Sequence, residues 1–285
     1  MTIPFRTDLS GKTVVVTGGG GVLCGHMART VAECGAKVAV LDLRESAAEQ
    51  VAKSIVEAGG KSIGIACDVL KKQGIETANA IINDTLGAVD ILINGAGGNH
   101  PSGTTSNEFM GTSDLDEPRA GTVTFYDLDP EGFNFVFNIN FLSTFLATQV
   151  FTKDMARRGA GVVINISSMN AFVPLTKVPA YSAAKAAVSN FTRWLAVHMS
   201  KVGIRVNAIA PGFFQTDQNR ALLMEQDGSL TKRGETIVEH TPLGRFGRPE
   251  DLDGVLLWLL SESAASFVTG VIVPVDGGFS AFSGV

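Results

Sequence analysis

The stretch "PAYSAAKAAVSN" at residues 179–190 sets one of the chain's two tyrosines four positions before a lysine, among alanines and serines. Side chains four apart share one face of a helix. The alanine content predicts a helix here, so Tyr181 and Lys185 are expected side by side. An unperturbed phenol titrates at about 10, too high for efficient proton exchange at neutral pH. A neighbouring ammonium favours the phenolate and is expected to lower that value. The pair is therefore a candidate general acid/base for a carbonyl or an alcohol. Ala183, Ala184, Ala186 and Ala187 keep the helix slim, leaving room for a cofactor on one face and close packing on another.

A second chemical signal lies near the start. "VVVTGGGGVLCGHMA" joins a strand directly to a helix. Gly18, Gly20 and Gly21, with Val22 and Leu23 opening the helix, are expected to bring backbone N–H groups and the helix N-terminus to a pyrophosphate. Asp42, in "VAVLDLRES", stands where adenosine ribose hydroxyls should fall, with Leu43 beside it. Its carboxylate can accept from both hydroxyls and would repel a 2′-phosphate. Arg44 could instead receive that phosphate, but the closer acid favours NAD over NADP. Asp68, with Val69, ends the third strand in "CDV" and either caps the next helix or touches the adenine.

These groups need a scaffold. Seven short apolar runs, "KTVVVT", "KVAVLD", "SIGIACD", "VDILIN", "GVVINIS", "IRVNAIA" and "VIVPVDGG", read as strands buried on both faces. Amphipathic stretches such as "MARTVAECG" and "SAAEQVAKSIVEAGG" lie between them and close on glycine. The alternation predicts an α/β fold: one Rossmann domain over 1–285, a doubly wound parallel sheet of about seven strands with helices on both faces. One segment, about 98–128, breaks the rhythm. Its length and its place after the fourth strand mark it as a substrate loop.

Composition narrows the function class. With 285 residues, 45% hydrophobic content and a net charge of −5, the chain reads as globular and without a broad nucleic-acid footprint. No apolar run is expected to reach membrane-spanning length, and "MTIPFRTDLSGK" lacks the apolar core of a secretory signal. Cys24, Cys34 and Cys67 show neither paired spacing nor a histidine cluster, so buried thiols, a reducing cytoplasm and no metal site are expected.

Together these motifs resemble the short-chain dehydrogenase/reductase family over about residues 8–282. The family's Tyr-x-x-x-Lys stands as "YSAAK". Its serine corresponds to Ser168 in "INISSMN", with the adjacent Ser167 as the alternative, and its helical asparagine corresponds to Asn140 in "NFLSTFLATQ". The family's "NNAG" appears as Asn94, Gly95, Ala96 and Gly97; Pro211, Gly212, Phe214 and Thr216 complete the cofactor residues that the resemblance implies. It implies that Tyr181 exchanges the substrate proton, Lys185 lowers its pKa and holds the nicotinamide ribose, Ser168 hydrogen-bonds the oxyanion, and Asn140 holds a water. It also implies a homotetramer, through the helix at 183–199 and Phe279 and Phe282 in the C-terminal stretch.

Two departures stand out. Val22 and Cys24 occupy the places of two family glycines, with Gly21 and Gly25 one position away. Gly95 replaces an asparagine, which is expected to remove a supporting hydrogen bond and nothing more. The resemblance implies a substrate lid at about 212–245; for substrate, His100, Arg119, Asn170, Lys177, Gln215 and Arg220 are the polar candidates, Lys177 foremost. Several cations and amides suit a hydroxylated acid better than a steroid or an acyl chain. "TGGGGVL" and "GGNHP" resemble the sugar-acid branch, the mannonate oxidoreductases or fructuronate reductases. Rival expectations are a 3-ketoacyl thioester reductase, another polyol or gluconate dehydrogenase, and a non-catalytic NAD(P)-sensing protein.

Overall fold

A computed structural model describes residues 7–116, 121–216 and 219–284. All seven expected strands form: β1 Thr13–Thr17, β2 Lys37–Asp42, β3 Lys61–Ala66, β4 Ile91–Asn94, β5 Gly161–Ile166, β6 Ile204–Pro211 and β7 Ile272–Val275. They pair in parallel in the order β3-β2-β1-β4-β5-β6-β7. Every residue of β1 and β4 is buried, which explains their near-continuous Val/Ile/Leu sequences: a parallel strand covered on both faces has no solvent side.

The helices are α1 Val22–Glu33, α2 Glu45–Glu57, α3 Lys72–Thr85, α4 Ser113–Asp116, α5 Pro130–Phe137, α6 Ser143–Arg158, α7 Pro179–Met199, α8 Arg220–Leu223, α9 Lys232–Glu239 and α10 Asp253–Leu260. On one sheet face, Met27 and Val31 of α1, Val51 and Ile55 of α2 and Leu256 of α10 share a core with β1 and β2. On the other, Ile75 and Ile82 of α3, Phe151 and Met155 of α6 and Leu195 of α7 form a second core. Glycines follow α1 and α2 as expected: Gly35 and Gly59 have φ of +93° and +89°, the left-handed conformation that ends a helix.

After β1 the chain builds towards one sheet edge, and after β4 towards the other. Beyond their carboxyl ends lies the switch-point crevice where ligands of open α/β sheets bind. The helix approaching this crevice is interrupted. Between α5 and α6, residues Asn138–Leu142 form a π-helical turn, a local widening that often marks functional sites.

The expectation that no run is long and apolar enough to cross a membrane is corrected by this same stretch. Pro130–Arg158 spans 29 residues and includes a window of mean hydropathy 1.3. Its Val136, Ala147, Val150, Phe151 and Met155 are buried, as in the core helix of a globular domain. Segment 98–128 contains only short helical turns, Pro101–Gly103, Ser113–Asp116 and Phe125–Asp127, among its described residues.

Candidate active site

The glycine-rich corner is shaped around Asp42. Its Oδ2 accepts from the Gly20 N–H at 3.1 Å, and its Oδ1 accepts from the Arg44 N–H at 3.0 Å. A Cβ at Gly20 would lie 2.6 Å from the Ala47 Cβ and 2.8 Å from Asp42 Oδ2, so no side chain fits. Gly18 turns left-handed at φ +65°, and a Cβ there would lie 2.7 Å from the Ala96 Cα. Gly21 is the N-cap of α1 without a side-chain capping bond, leaving the helix's first N–H groups for an anion. These features fit a dinucleotide: a bare helix N-terminus for its pyrophosphate, and a carboxylate at the strand end for ribose hydroxyls.

Leu43 is 72% exposed beside that carboxylate, while Val69 is buried. Arg44 extends its Nε to 3.7 Å from Asp42. Asp68 accepts from the Leu70 N–H at 3.0 Å and pairs with Lys71 at 3.3 Å, so it shapes the turn entering α3.

Tyr181 and Lys185 share one face of α7, as the spacing predicts: the Lys185 Nζ lies 5.6 Å from the centre of the tyrosine ring. The expected pKa argument is corrected. Burial pushes the Tyr181 phenol up, and the opposing influence is its hydrogen bond with Ser168. Burial also pushes the Lys185 ammonium down to about 8. Its Nζ donates to the Ile166 carbonyl at 2.9 Å. The two shifts share one leading cause, burial, which disfavours the charged form of each group.

The two serines divide their roles. Ser167 donates to the Lys185 carbonyl at 3.2 Å and meets Ser189 Oγ at 2.7 Å, so it locks β5 to α7. Ser168, in extended backbone just past β5 at φ −162° and ψ 156°, turns to the phenol.

Asn140 is fully buried in the π turn. Its Oδ1 accepts from the Gly98 N–H at 3.1 Å, and its Nδ2 donates to the Gly98 and Val136 carbonyls at 2.7 and 2.8 Å. Both amide hydrogens are therefore used, and the side chain clamps the segment after β4. Asn94, expected at the cofactor, points into the core: its Nδ2 donates to Thr148 Oγ1 at 3.0 Å and Asn165 Oδ1 at 2.9 Å. Gly95 and Ala96 donate their N–H groups to Thr17 Oγ1 at 3.1 and 3.3 Å. Gly97 reaches the tyrosine–lysine face, since a Cβ there would lie 3.4 Å from the Lys185 Nζ. Cofactor corner and tyrosine–lysine pair thus meet at Gly97.

Beyond β6, the Gly212 N–H donates to the Val275 carbonyl at 2.9 Å, following the buried Pro211. Phe214, expected among the cofactor residues, packs its side chain inward. Its ring is 3% exposed and lies over Gly247, so it belongs to the core. The Thr216 N–H donates to Asn219 Oδ1 at 2.8 Å.

The substrate candidates scatter. Lys177, the foremost candidate, stands apart from the tyrosine–lysine pair. It sits at φ +71°, its carbonyl accepts from the Thr105 N–H at 2.9 Å, and it lines a cavity of about 510 Å³ with Phe125, Leu175, Ser182, Ala183 and Ala186. That cavity borders a different face of α7 from Tyr181 and Lys185. Asn170 is buried and donates to Ser182 Oγ at 3.3 Å. His100 bonds its own turn through Ser102 at 2.7 Å and meets the Phe135 ring edge-on at 5.3 Å. Gln215 and Arg220 are exposed near the start of α8. Arg119 lies outside the described residues.

Residue-type reasoning overlooked Thr17, whose hydroxyl ties the first corner to the exit of β4. Its only sequence signal is its place directly before the glycines. Cys24, noted merely as a departure, lies against the same exit.

Residues 23–280 match the family model described as "Enoyl-(Acyl carrier protein) reductase". The chain is 52% identical over 283 residues, 99% of its length and 100% of the relative's, to the uncharacterized oxidoreductase UxuB of Bacillus subtilis (strain 168). It is 31% identical over 277 residues, 96% of this chain and 97% of the relative, to the 7alpha-hydroxysteroid dehydrogenase of Escherichia coli (strain K12). A solved structure of a candidate D-mannonate oxidoreductase from Haemophilus influenza, with NAD bound, superposes with a TM-score of 0.91 at 53% identity, covering 98% of each chain. With the parallel seven-stranded sheet and the Ser–Tyr–Lys arrangement at its carboxyl edge, these likenesses mean that the chain belongs to the short-chain dehydrogenase/reductase family of oxidoreductases.

Proposed function

We propose that this oxidoreductase uses NAD(H) to interconvert a secondary alcohol and a ketone on a sugar acid of the D-mannonate/D-fructuronate type. The observation that carries the reading is the meeting, at Gly97, of an acid-marked dinucleotide corner with the Tyr181–Lys185 pair. Bound NAD(H) supplies or takes the hydride. In reduction the Tyr181 phenol gives its proton to the substrate oxygen; in oxidation it receives the alcohol proton. Ser168 hydrogen-bonds that oxygen as charge develops, an interaction strengthened where water is excluded. Lys185 holds the nicotinamide ribose, and Asn140 keeps the β4 exit in register through Gly98. Gly18, Gly20, Gly21, Asp42 and the 94–97 segment hold the rest of the dinucleotide.

NAD is favoured over NADP because the Asp42 carboxylate occupies the corner and lies 3.7 Å from the Arg44 Nε. The sugar-acid assignment draws support from the candidate D-mannonate oxidoreductase at 53% identity. Segment 98–128 serves as the substrate loop and 212–245 as its lid, within one domain over 1–285. Steady-state assays with D-fructuronate, D-gluconate, simple polyols and 3-ketoacyl thioesters test the assignment. Turnover of D-fructuronate with NADH is expected, and no turnover of any hexonate sinks it.

The matched family description favours a second reading, a reductase of acyl thioesters. Such an enzyme would work with NADP and dock an acidic carrier; Asp42 and the net charge of −5 oppose both. A cofactor sensor without catalysis is opposed by the presence of Asn140, Ser168, Tyr181 and Lys185 together. For assembly we propose a cytoplasmic homotetramer. Trp194 and Val197 on α7 are 55% and 77% exposed, an apolar surface of the kind that marks an interface. Phe282 is exposed as well, whereas Phe279 turns onto the Phe213 ring at 5.2 Å. Light scattering checks the tetramer, and a clean monomer refutes it.

A further inference from the structure

The two departures from the family pattern touch each other. Cys24 is the third residue of α1 and is buried; Gly95 follows β4. A Cβ on Gly95 would lie 2.1 Å from the Cys24 Sγ, but 3.4 Å from the Cys24 Cβ. The sulfur, and not the rest of the cysteine, excludes a side chain at 95. Burial pushes the thiol up to about 11, so at neutral pH it is an uncharged space-filling group.

The β4 exit has no slack on either side. Towards the glycine corner, the Gly95 and Ala96 N–H groups donate to Thr17 Oγ1, and Gly18 lies against Ala96. On the catalytic side, a Cβ at Gly97 would lie 2.4 Å from Asn140 Oδ1 and 3.4 Å from the Lys185 Nζ. Whatever fills the gap between α1 and Gly95 thereby sets how far the dinucleotide corner stands from Lys185.

We propose that Cys24 and Gly95 are a size-matched pair that positions the cofactor: the thiol supplies the volume that residue 95 lacks, and so aligns the phosphate-binding corner with the catalytic face. Cys24 is a positioning residue, acting through the backbone of 95–97. The pair explains why both departures occur in one chain. The proposal rests on the NAD(H) reading of the site.

The test is a double-mutant cycle of the full chain, with NADH affinity read by fluorescence titration well below the thermal midpoint. Gly95→Ala is expected to weaken NADH binding by about tenfold and Cys24→Ala by about threefold, and a Cys24→Ala variant that binds NADH as the wild type does overturns the positioning role. In Cys24→Ala/Gly95→Ala the missing sulfur makes room for the methyl. Rescue stays incomplete because the Thr17 carbonyl oxygen would still lie 2.9 Å from the new Cβ. Recovery of at least about threefold over Gly95→Ala supports the pair; a smaller recovery, or normal binding by Gly95→Ala, overturns it. Should Gly95→Ala fail to fold, a double variant that folds and binds NADH supports the pair, and one that fails likewise overturns it. A wild-type protein that binds no NADH overturns the cofactor reading and this role together, whereas wild-type binding without rescue overturns the pair alone.

Discussion

Helix α7 presents two faces that differ in kind. Towards one, Tyr181 and Lys185 stand with Ser168, and the surrounding polar groups are tied down: Lys185 to the Ile166 carbonyl, Ser167 to the Lys185 carbonyl, Asn140 to Gly98. Towards the other, Ser182, Ala183 and Ala186 line the cavity of about 510 Å³ with Phe125, Leu175 and Lys177. The second face has the volume and a lysine, without a phenol among the cavity's lining residues. Proton transfer requires convergent groups whose protonation is governed by their surroundings. Space and a nearby cation do not meet that requirement, so the second face offers binding room and not proton transfer.

The largest effect should come from Tyr181→Phe, which keeps the ring and removes the proton. Turnover is expected to fall about a thousandfold with NADH affinity changed less than about twofold. Retained turnover would break the contrast between the two faces. The adjacent serines sharpen it. Ser168→Ala should lower kcat by about a hundredfold. Ser167→Ala should lower it by less than about tenfold and show instead as a stability loss of about 1 kcal/mol; kcat and denaturant unfolding separate the two.

Lys185 should leave a pH signature in stability. Its pKa in the fold, about 8, lies below the ordinary 10.5, so between these values the unfolded chain binds more protons and stability rises with pH. The contribution is full above about 10.5 and is lost as pH falls through about 8, on the order of 3 kcal/mol at most. Thermal midpoints of the wild type from pH 8 to 10 should therefore climb relative to Lys185→Met; parallel curves would place the ammonium in water.

The smallest effect belongs to the second face. Lys177→Gly relieves a left-handed backbone at φ +71° and should stabilise the fold by about 1 kcal/mol in urea. Turnover should stay within about threefold, as for a residue outside the reaction path. A large loss of turnover would draw that cavity into the chemistry.

Much of the site was legible because its signals are local. Val- and Ile-rich runs can only be strands when both faces are covered. A spacing of four puts Tyr181 and Lys185 on one helical face, and Asp42 closes its strand beside the glycines. What escaped depends on partners distant in sequence. Asn140 works through a π turn that shifts its side chain onto Gly98. Asn94 looked like a cofactor residue, yet its amide completes a buried network with Thr148 and Asn165. Cys24 and Gly95 read as two independent irregularities until their contact showed one filling the room left by the other.

By itself, the chain's residue order determined the seven-stranded parallel architecture, the glycine corner and the tyrosine–lysine pairing, since periodicity and short-range sterics decide these. Only the tertiary structure decided which of two adjacent serines meets the phenol, which way Lys177 faces, and that burial raises the tyrosine's pKa while lowering the lysine's. The reason is that charge state and close packing depend on the atoms that surround a group in space, and those atoms come from segments far apart along the chain.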